Sequence, residues 1–268
     1  MFRRIIYIYA VAKRYLFKDT KYLFLYIYRY FQNGYHNNCK FYTENEFINL
    51  IKTGESMLRL GDGEMSLIHF LPAPPNSPQS YNENIRKDLL KIIKNYDDNS
   101  KYVLLVPLFI NYSNTELKKV NRFTHFRQLK ITYELIFNKN ARYFDAHIFW
   151  KGGCFEKIIL PYIKTKKVII VTNKENKEKI ASSEFAPDVH SFIICPDKNA
   201  YDSKEKIKND IINIIEKSRL PKDNFVILMS AGSLKIIIYD LSQMGYQMLD
   251  IGRGLENYYA KTSIEHLI

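Results

Sequence analysis

The chain has 268 residues, 46% of them hydrophobic and 25% charged, which is enough to bury a sizeable core and too apolar for wholesale disorder. Its formal charge of +12 and pI of about 9.3 point to an anionic partner. Three cysteines, Cys39, Cys154 and Cys195, have neither CxxC spacing nor a nearby histidine pattern; they argue against a disulfide scaffold or structural zinc site and fit a reducing cytoplasm.

The charge is uneven. Residues 1–40 hold eight Lys/Arg (Arg3, Arg4, Lys13, Arg14, Lys18, Lys21, Arg29, Lys40) against one acid, Asp19, so +7 of the +12 lies there and +5 in the remainder. Residues 3–32 contain no Gly or Pro, mix Tyr, Phe and Ile with Lys and Arg, and are expected to be mostly helical. No run reaches the roughly 20 apolar residues of a membrane span. "IIYIYAVA" (5–12) is followed at once by Lys13-Arg14 without a small-residue cleavage site, so it is not read as a signal peptide. Residues 1–32 could lie on the inner face of a cell membrane, rings at the headgroup level and basic side chains snorkelling, or pack as a helical hairpin on the main domain. Residues 1–40 are therefore set apart from a domain at 41–268.

The pattern turns regular at Thr43. "TENE" (43–46) has the form of a capping box, Thr43 with Glu46, opening a helix that ends near Gly54. "SMLRL" reads as a strand entering a Gly61-Asp62-Gly63-Glu64 turn, and the proline-rich "LPAPPNSP" (71–78) as an irregular loop. A helix is expected over 83–95, a strand at 102–108, helix over 114–140, and strands at 143–150, 166–173 and 189–196. Asp202 can cap a helix over 203–219 with Ile207, Ile211, Ile212 and Ile215 on one face. A strand at 224–232, a helix over 233–243 and a strand at 246–252 follow. Alternating strands and helices predict an α/β fold, a mostly parallel sheet with helices on both faces, whose ligands bind outside the carboxyl ends of the strands.

Four strand ends carry unusual residues. In Arg59-Leu60-Gly61-Asp62-Gly63-Glu64, a DxE spacing at a turn can aim two carboxylates at Mg²⁺ or Mn²⁺, and Gly61 and Gly63 leave room for a diphosphate. Taken alone, this is better read as a common glycine turn with solvated acids. "CPDKNAY" (195–201) offers Asn199 and Tyr201 to a ring or ribose and Lys198 to a phosphate, or is a loop with a helix cap. "SAGSLK" (230–235) puts Gly232 and Ser233 at a strand-to-helix turn beside Lys235, a phosphate seat without the P-loop pattern. "LDIGRGLENYY" (249–259) gathers Asp250, Arg253 and Glu256. The four together fit a nucleoside-diphosphate ligand.

These residues resemble the GT-D-type glycosyltransferases, a bacterial family first described as a domain of unknown function. The matching motifs are S-x-x-R-x-G-D-G-E (56–64), "VP" (106–107), I-C-P-x-x-N-A-Y (194–201) and Y-D-L-x-x-x-G-Y-Q-x-x-D-I-G (239–252). The likeness covers roughly 43–260. It implies a Rossmann-like fold and transfer of a sugar, typically UDP-linked, to a glycan, glycoprotein or polysaccharide, with Mn²⁺ or Mg²⁺ on Asp62 and Glu64. The I-C-P motif brings Pro196 into the nucleotide-sugar set with Asn199 and Tyr201. The chain departs from the family at Ala231–Lys235, where relatives often have a GPTAK-like turn. It also has Trp150 where many have an Arg, and Arg253 where many have a His. Arg59 and Lys235 would assist on the phosphates. A general base, needed if the reaction inverts, would be Glu256, Asp250 or His147, with Glu256 first. Trp150 could stack on a sugar or pack in the core. Two rivals remain at this level: a basic membrane- or nucleic-acid-binding module in which 61–64 is only a turn, and a metal-dependent phosphohydrolase. With the acids read as a site, no nucleic-acid partner is expected.

Overall fold

Every strand pair in the sheet runs parallel. The strands are β1 (Lys40–Phe41), β2 (Ser56–Arg59), β3 (Tyr102–Val106), β4 (Arg142–Asp145), β5 (Lys167–Thr172), β6 (Val189–Ile194), β7 (Phe225–Met229) and β8 (Met248–Asp250). Their order across the sheet is β1-β4-β3-β2-β8-β7-β5-β6. These come from a computed structural model that describes residues 20–68, 79–80, 82–150, 155–182, 189–252 and 254. The expected helix over 3–19, the loop at 71–78, Cys154, Arg253 and Glu256 lie outside the described residues.

The order explains where a ligand can sit. From β2 the chain steps outward through β3 to β4; after crossing to β5 on the other side, it fills the gap with β7 and β8. The direction of winding therefore reverses beside β2. At such a switch point the connections leave in opposite directions and open a crevice at the carboxyl ends.

Both faces of the sheet are buried, as parallel sheets require. Alternate residues go to opposite sides: Leu58, Leu104, Ile169, Ile227 and Met248 into one core, Met57, Val103, Ile170, Leu228 and Leu249 into the other. The first core is covered by α4 (Glu83–Lys94), α6 (Phe123–Ile136), α9 (Lys204–Ser218) and α10 (Lys235–Gln243). The second is covered by α2 (Glu44–Lys52), α7 (Leu160–Ile163) and α8 (Lys174–Ala181). α2 carries the expected capping box, Thr43 with Glu46, and buries Phe47 and Ile51. Phe47 stacks on Phe144 with ring centroids 4.0 Å apart.

α1 (Thr20–Tyr30) lies outside these layers, on α6. The Arg127 guanidinium stands over the rings of Tyr26 and Tyr30, at 3.9 and 4.4 Å. Arg29 meets Glu134 through two hydrogen bonds, at 3.1 and 2.6 Å. The expected helix is thus observed over 20–30.

Four expectations change. The Gly-Asp-Gly-Glu stretch is the start of α3 (Asp62–Ile68) rather than a free turn. The helix expected over 114–140 is two, α5 (Asn114–Lys119) and α6, divided at Asn121, whose φ of 53° no helix continues through. The strand expected at 143–150 ends at Asp145, so His147 lies in the turn beyond it. Asp202 does not cap α9; it sits within a 3₁₀ turn, Ala200–Ser203, that leads into the helix. β1 and α8 had no counterpart in the sequence reading, the first because two residues carry no periodic signal.

Phe47→Ala is expected to remove about 3–5 kcal/mol of stability, because it empties a stacked core position. Thr43→Ala should cost only about 1 kcal/mol, the worth of one cap. Urea denaturation of both variants checks the ratio.

Candidate active site

The carboxyl ends of β2, β7 and β8 converge at the switch point. Arg59, the last residue of β2, donates from its backbone N to Asp250 Oδ2 (3.1 Å) and from Nε to the carbonyl of Ala146 (2.8 Å). Its side chain thereby ties β2 to the turn after β4. Glu64, in the first turn of α3, accepts at Oε2 from the backbone N of Gly61 (2.8 Å). That contact holds its carboxylate back over the strand end.

Lys235 opens α10 and is 4% exposed, yet it is a lysine. Its Nζ makes a short ion pair with Asp250 Oδ2, and Asp250 is 1% exposed. The same Nζ lies 3.8 Å from Glu64 Oε1. Asp250 also accepts at Oδ1 from the backbone N of Gly252 (3.3 Å). Three donors thus satisfy the Asp250 carboxylate, which the low dielectric demands of a buried charge. α10 begins at Lys235 without a side-chain cap, so its positive end lies next to this cluster. Gly232 is exposed and Ser233 half-buried in the turn before it.

The path of the backbone after β8 is set by Arg59. Gly252 has φ +50°, and a Cβ there would stand 1.6 Å from Arg59 Nη1. Ser230 Oγ donates to the Gly252 carbonyl at 2.7 Å, binding the ends of β7 and β8 together. Arg59, Gly61, Glu64, Gly232, Ser233, Lys235 and Asp250 are therefore gathered at one place. Gly63 and Asp62 lie on α3 beside them, the side chain of Asp62 being outside the described part.

The 195–201 loop is not part of this cluster. It follows β6, three strand spacings from β8, roughly 14 Å. Pro196, Lys198 and Asn199 are exposed there, and Asn199 Oδ1 accepts from the backbone N of Ser80 at 3.1 Å. Tyr201 turns inward: it is 5% exposed and its hydroxyl donates to Asp88 Oδ2 at 2.5 Å, with Lys204 Nζ 2.8 Å away. Burial pushes its hydroxyl pKa up. Only an elongated ligand would touch both Lys235 and Asn199.

Asp145 escaped the sequence reading. It is 5% exposed at the end of β4 and accepts at Oδ1 from the backbone N of His147 (3.1 Å) and of Leu108 (3.4 Å). His147 Nδ1 lies 3.4 Å from the same oxygen. Its only trace in the sequence is an acid closing an apolar strand. Trp150 ends a 3₁₀ turn, Ile148–Trp150, and its side chain lies outside the described part.

A cation would be held here by few protein ligands. Among the described residues no three His, Cys, Asp or Glu gather as a metal cage. Mg²⁺ and Mn²⁺ do not need one, being held by one or two carboxylates with water and substrate phosphate. Glu64 Oε1, on a side chain 17% exposed, suits that role. A cavity of about 460 Å³ lies at the opposite, amino-terminal end of the sheet, lined by Lys52, Lys101 and Lys166 among others. The clustered charges, not that cavity, mark the chemistry.

The description "glycosyltransferase GT-D fold" fits a family whose model matches residues 57–263, nearly all of this sheet. The chain belongs to the GT-D-fold glycosyltransferases. A Streptococcus gordonii protein described as "Probable glycosyl transferase Gly" is 27% identical over 226 residues, which cover 76% of this chain and 30% of that protein. The chain thus spans less than a third of that relative's length. A glycosyltransferase of domain family 1792 from Streptococcus sanguinis superposes with a TM-score of 0.67 at 20% identity, covering 86% of this chain and 92% of that one. Another structure of that domain, described as having a distinct glycosyltransferase fold, gives 0.62 at 22% identity over 84% and 83% of the two chains. The GT-D-type resemblance and the parallel α/β sheet expected from sequence are both borne out.

Two outcomes follow for this GT-D chain. Asp250→Ala should cost about 3–5 kcal/mol, since it strands the Lys235 ammonium in the core, and adding Lys235→Met should recover much of that loss. Thermal melts of the single and double variants check it. Burial holds the Cys195 thiol up at about 11 and the Cys39 thiol at about 12. Both should resist iodoacetamide at neutral pH in the folded protein and react on unfolding, as peptide mapping would record.

Proposed function

We propose that the chain transfers a sugar from a nucleotide sugar, UDP-linked, to a hydroxyl of a glycan, glycoprotein or polysaccharide, in a bacterial cytoplasm at the inner face of the membrane. The observation that carries this reading is Lys235, buried between Asp250 and Glu64 at the switch point. A lysine ammonium kept there has one evident chemical use beyond its ion pair: to meet anionic oxygen.

The residues divide the work. Lys235 and the positive end of α10 receive the diphosphate and oppose the negative charge that grows on it as the anomeric C–O bond breaks. Asp250 fixes the Lys235 ammonium and, through the Arg59 backbone, the end of β2. Gly61 holds Glu64 in place through its backbone N–H, and the absence of a side chain there and at Gly63 lets a diphosphate approach. Glu64, with Asp62, would hold Mn²⁺ or Mg²⁺. Such a cation, when bound, supplies further neutralisation of the leaving diphosphate. The Asn199 loop would meet the far end of an elongated donor. Asp250 is fully engaged and unsuited to proton transfer. If the anomeric configuration inverts, Glu256 stays the first choice to accept the acceptor's proton, and His147, whose Nδ1 lies 3.4 Å from Asp145 Oδ1, is the alternative.

The test is UDP release from a panel of UDP-sugars with Mn²⁺. Glu64→Gln and Lys235→Ala should each lower kcat by about 10²–10³, the usual worth of one transition-state electrostatic contact. Turnover that survives chelation and both substitutions would contradict the proposal. Release of inorganic phosphate instead of UDP would favour a phosphohydrolase.

A further inference from the structure

The cavity of about 460 Å³ at the amino-terminal edge of the sheet has the size of a small-molecule site. It lies where α2 and α10 end and where β3, β7 and β8 begin. Its wall is fixed by Gln247, which is buried just before β8. The Gln247 Nε2 donates to the carbonyls of Ile51 (2.7 Å) and Glu55 (3.3 Å), and its Oε1 accepts from the Tyr162 hydroxyl (2.6 Å). The amide is thus engaged at both ends, and it sets the half-buried Tyr162 hydroxyl in turn. Polar groups held this way are ordered before any ligand arrives, which lowers the cost of binding one.

Three ammonium groups and two carboxylates share this lining: Lys52, Lys101 and Lys166 against Glu55 and Asp223. Lys52 and Lys101 are exposed and pair with no carboxylate among the described residues. Lys52 closes α2, where a cation can serve the helix end, but the last carbonyls there are already taken. Asn49 accepts from the backbone N and Oγ1 of Thr53, Leu50 from the backbone N of Glu55, and Ile51 from that of Gly54. Lys166 rests its Nζ on the Asp223 carbonyl at 2.6 Å, a neutral partner. Glu55, by contrast, accepts from Thr53 Oγ1 and keeps oxygen lone pairs to spare.

We infer that this cavity is a second ligand site and takes a small phosphorylated sugar. Lys52 and Lys101 meet the phosphate oxygens through charge-assisted hydrogen bonds. Glu55 and the Tyr162 oxygen accept from sugar hydroxyls. The two carboxylates repel a bare anion, so the lining selects a ligand that donates hydrogen bonds as well as carrying negative charge. The site lies at the opposite edge of the sheet from Lys235, with β8 running between Gln247 and Asp250. The inference stands apart from the sugar-transfer reading, and its assay contains no nucleotide sugar, so either can fail alone.

The experiment is isothermal titration calorimetry of the full chain with glucose 1-phosphate, glucose 6-phosphate, inorganic phosphate and glucose. At least one of the two sugar phosphates should bind with a Kd of about 1 mM or tighter, and about tenfold or more tighter than phosphate or glucose. Lys52→Met with Lys101→Met should weaken that binding by about tenfold or more. Lys87→Met with Lys217→Met removes the same charge from exposed positions on α4 and α9 and should leave it unchanged. All four positions are exposed, and thermal melts of both double variants should match the wild type. No binding of either sugar phosphate, or inorganic phosphate bound as tightly, would overturn the inference. So would binding that survives the loss of Lys52 and Lys101, which places the ligand elsewhere, or an equal loss in both double variants, which makes the attraction a diffuse one.

Discussion

The buried pair of Lys235 and Asp250 is the constraint around which the rest of the structure is arranged. Two opposite charges almost without solvent are tolerable only when each is held by further polar contacts. Asp250 meets that condition with the backbone N–H groups of Arg59 and Gly252. Those contacts fix the ends of β2 and β8 against each other at the one place where the sheet reverses direction. Glu64 then stands within 3.8 Å of the same ammonium. A core of this size could have closed the gap with apolar side chains at less electrostatic cost. That it holds a charged triad instead is the physical reason to read the place as a site.

Arg59 extends the cluster sideways. Its guanidinium fills the space that a side chain at residue 252 would need, and its Nε holds the Ala146 carbonyl. The turn carrying Asp145 and His147 is thereby attached to the charged centre. Gly252 owes its residue type to two demands at once: a left-handed φ and room for the arginine. The donor side and the histidine side of the crevice thus depend on a single side chain.

Much of this was legible in the residues. The capping box at Thr43 and Glu46 is a local rule and appears as written. The apolar runs that became β2, β5 and β7 read as strands, and the rule that ligands gather at their carboxyl ends led to Arg59, Glu64, Lys235 and Asp250. What could not be read was set by tertiary contacts. Gly-Asp-Gly-Glu has the composition of a turn, but packing of α3 against α6 makes it a helix start. Tyr201 offers a ring for stacking, yet its hydroxyl is held by Asp88, 113 residues away in the chain, and the ring is buried. Asp145 was hidden because a lone acid at a strand end has no partner visible in sequence; His147 became its partner only once the strand stopped short. The strand order, and so the switch point itself, is a long-range property that no local pattern states.

The claim that Lys235 and Glu64 form the donor-binding centre is tested most directly by a crystal structure with UDP and Mn²⁺. The account requires the diphosphate at the start of α10 within hydrogen-bond reach of Lys235 Nζ, and the cation between it and Glu64. A diphosphate bound elsewhere, with the Lys235, Asp250 and Glu64 cluster untouched, would contradict it.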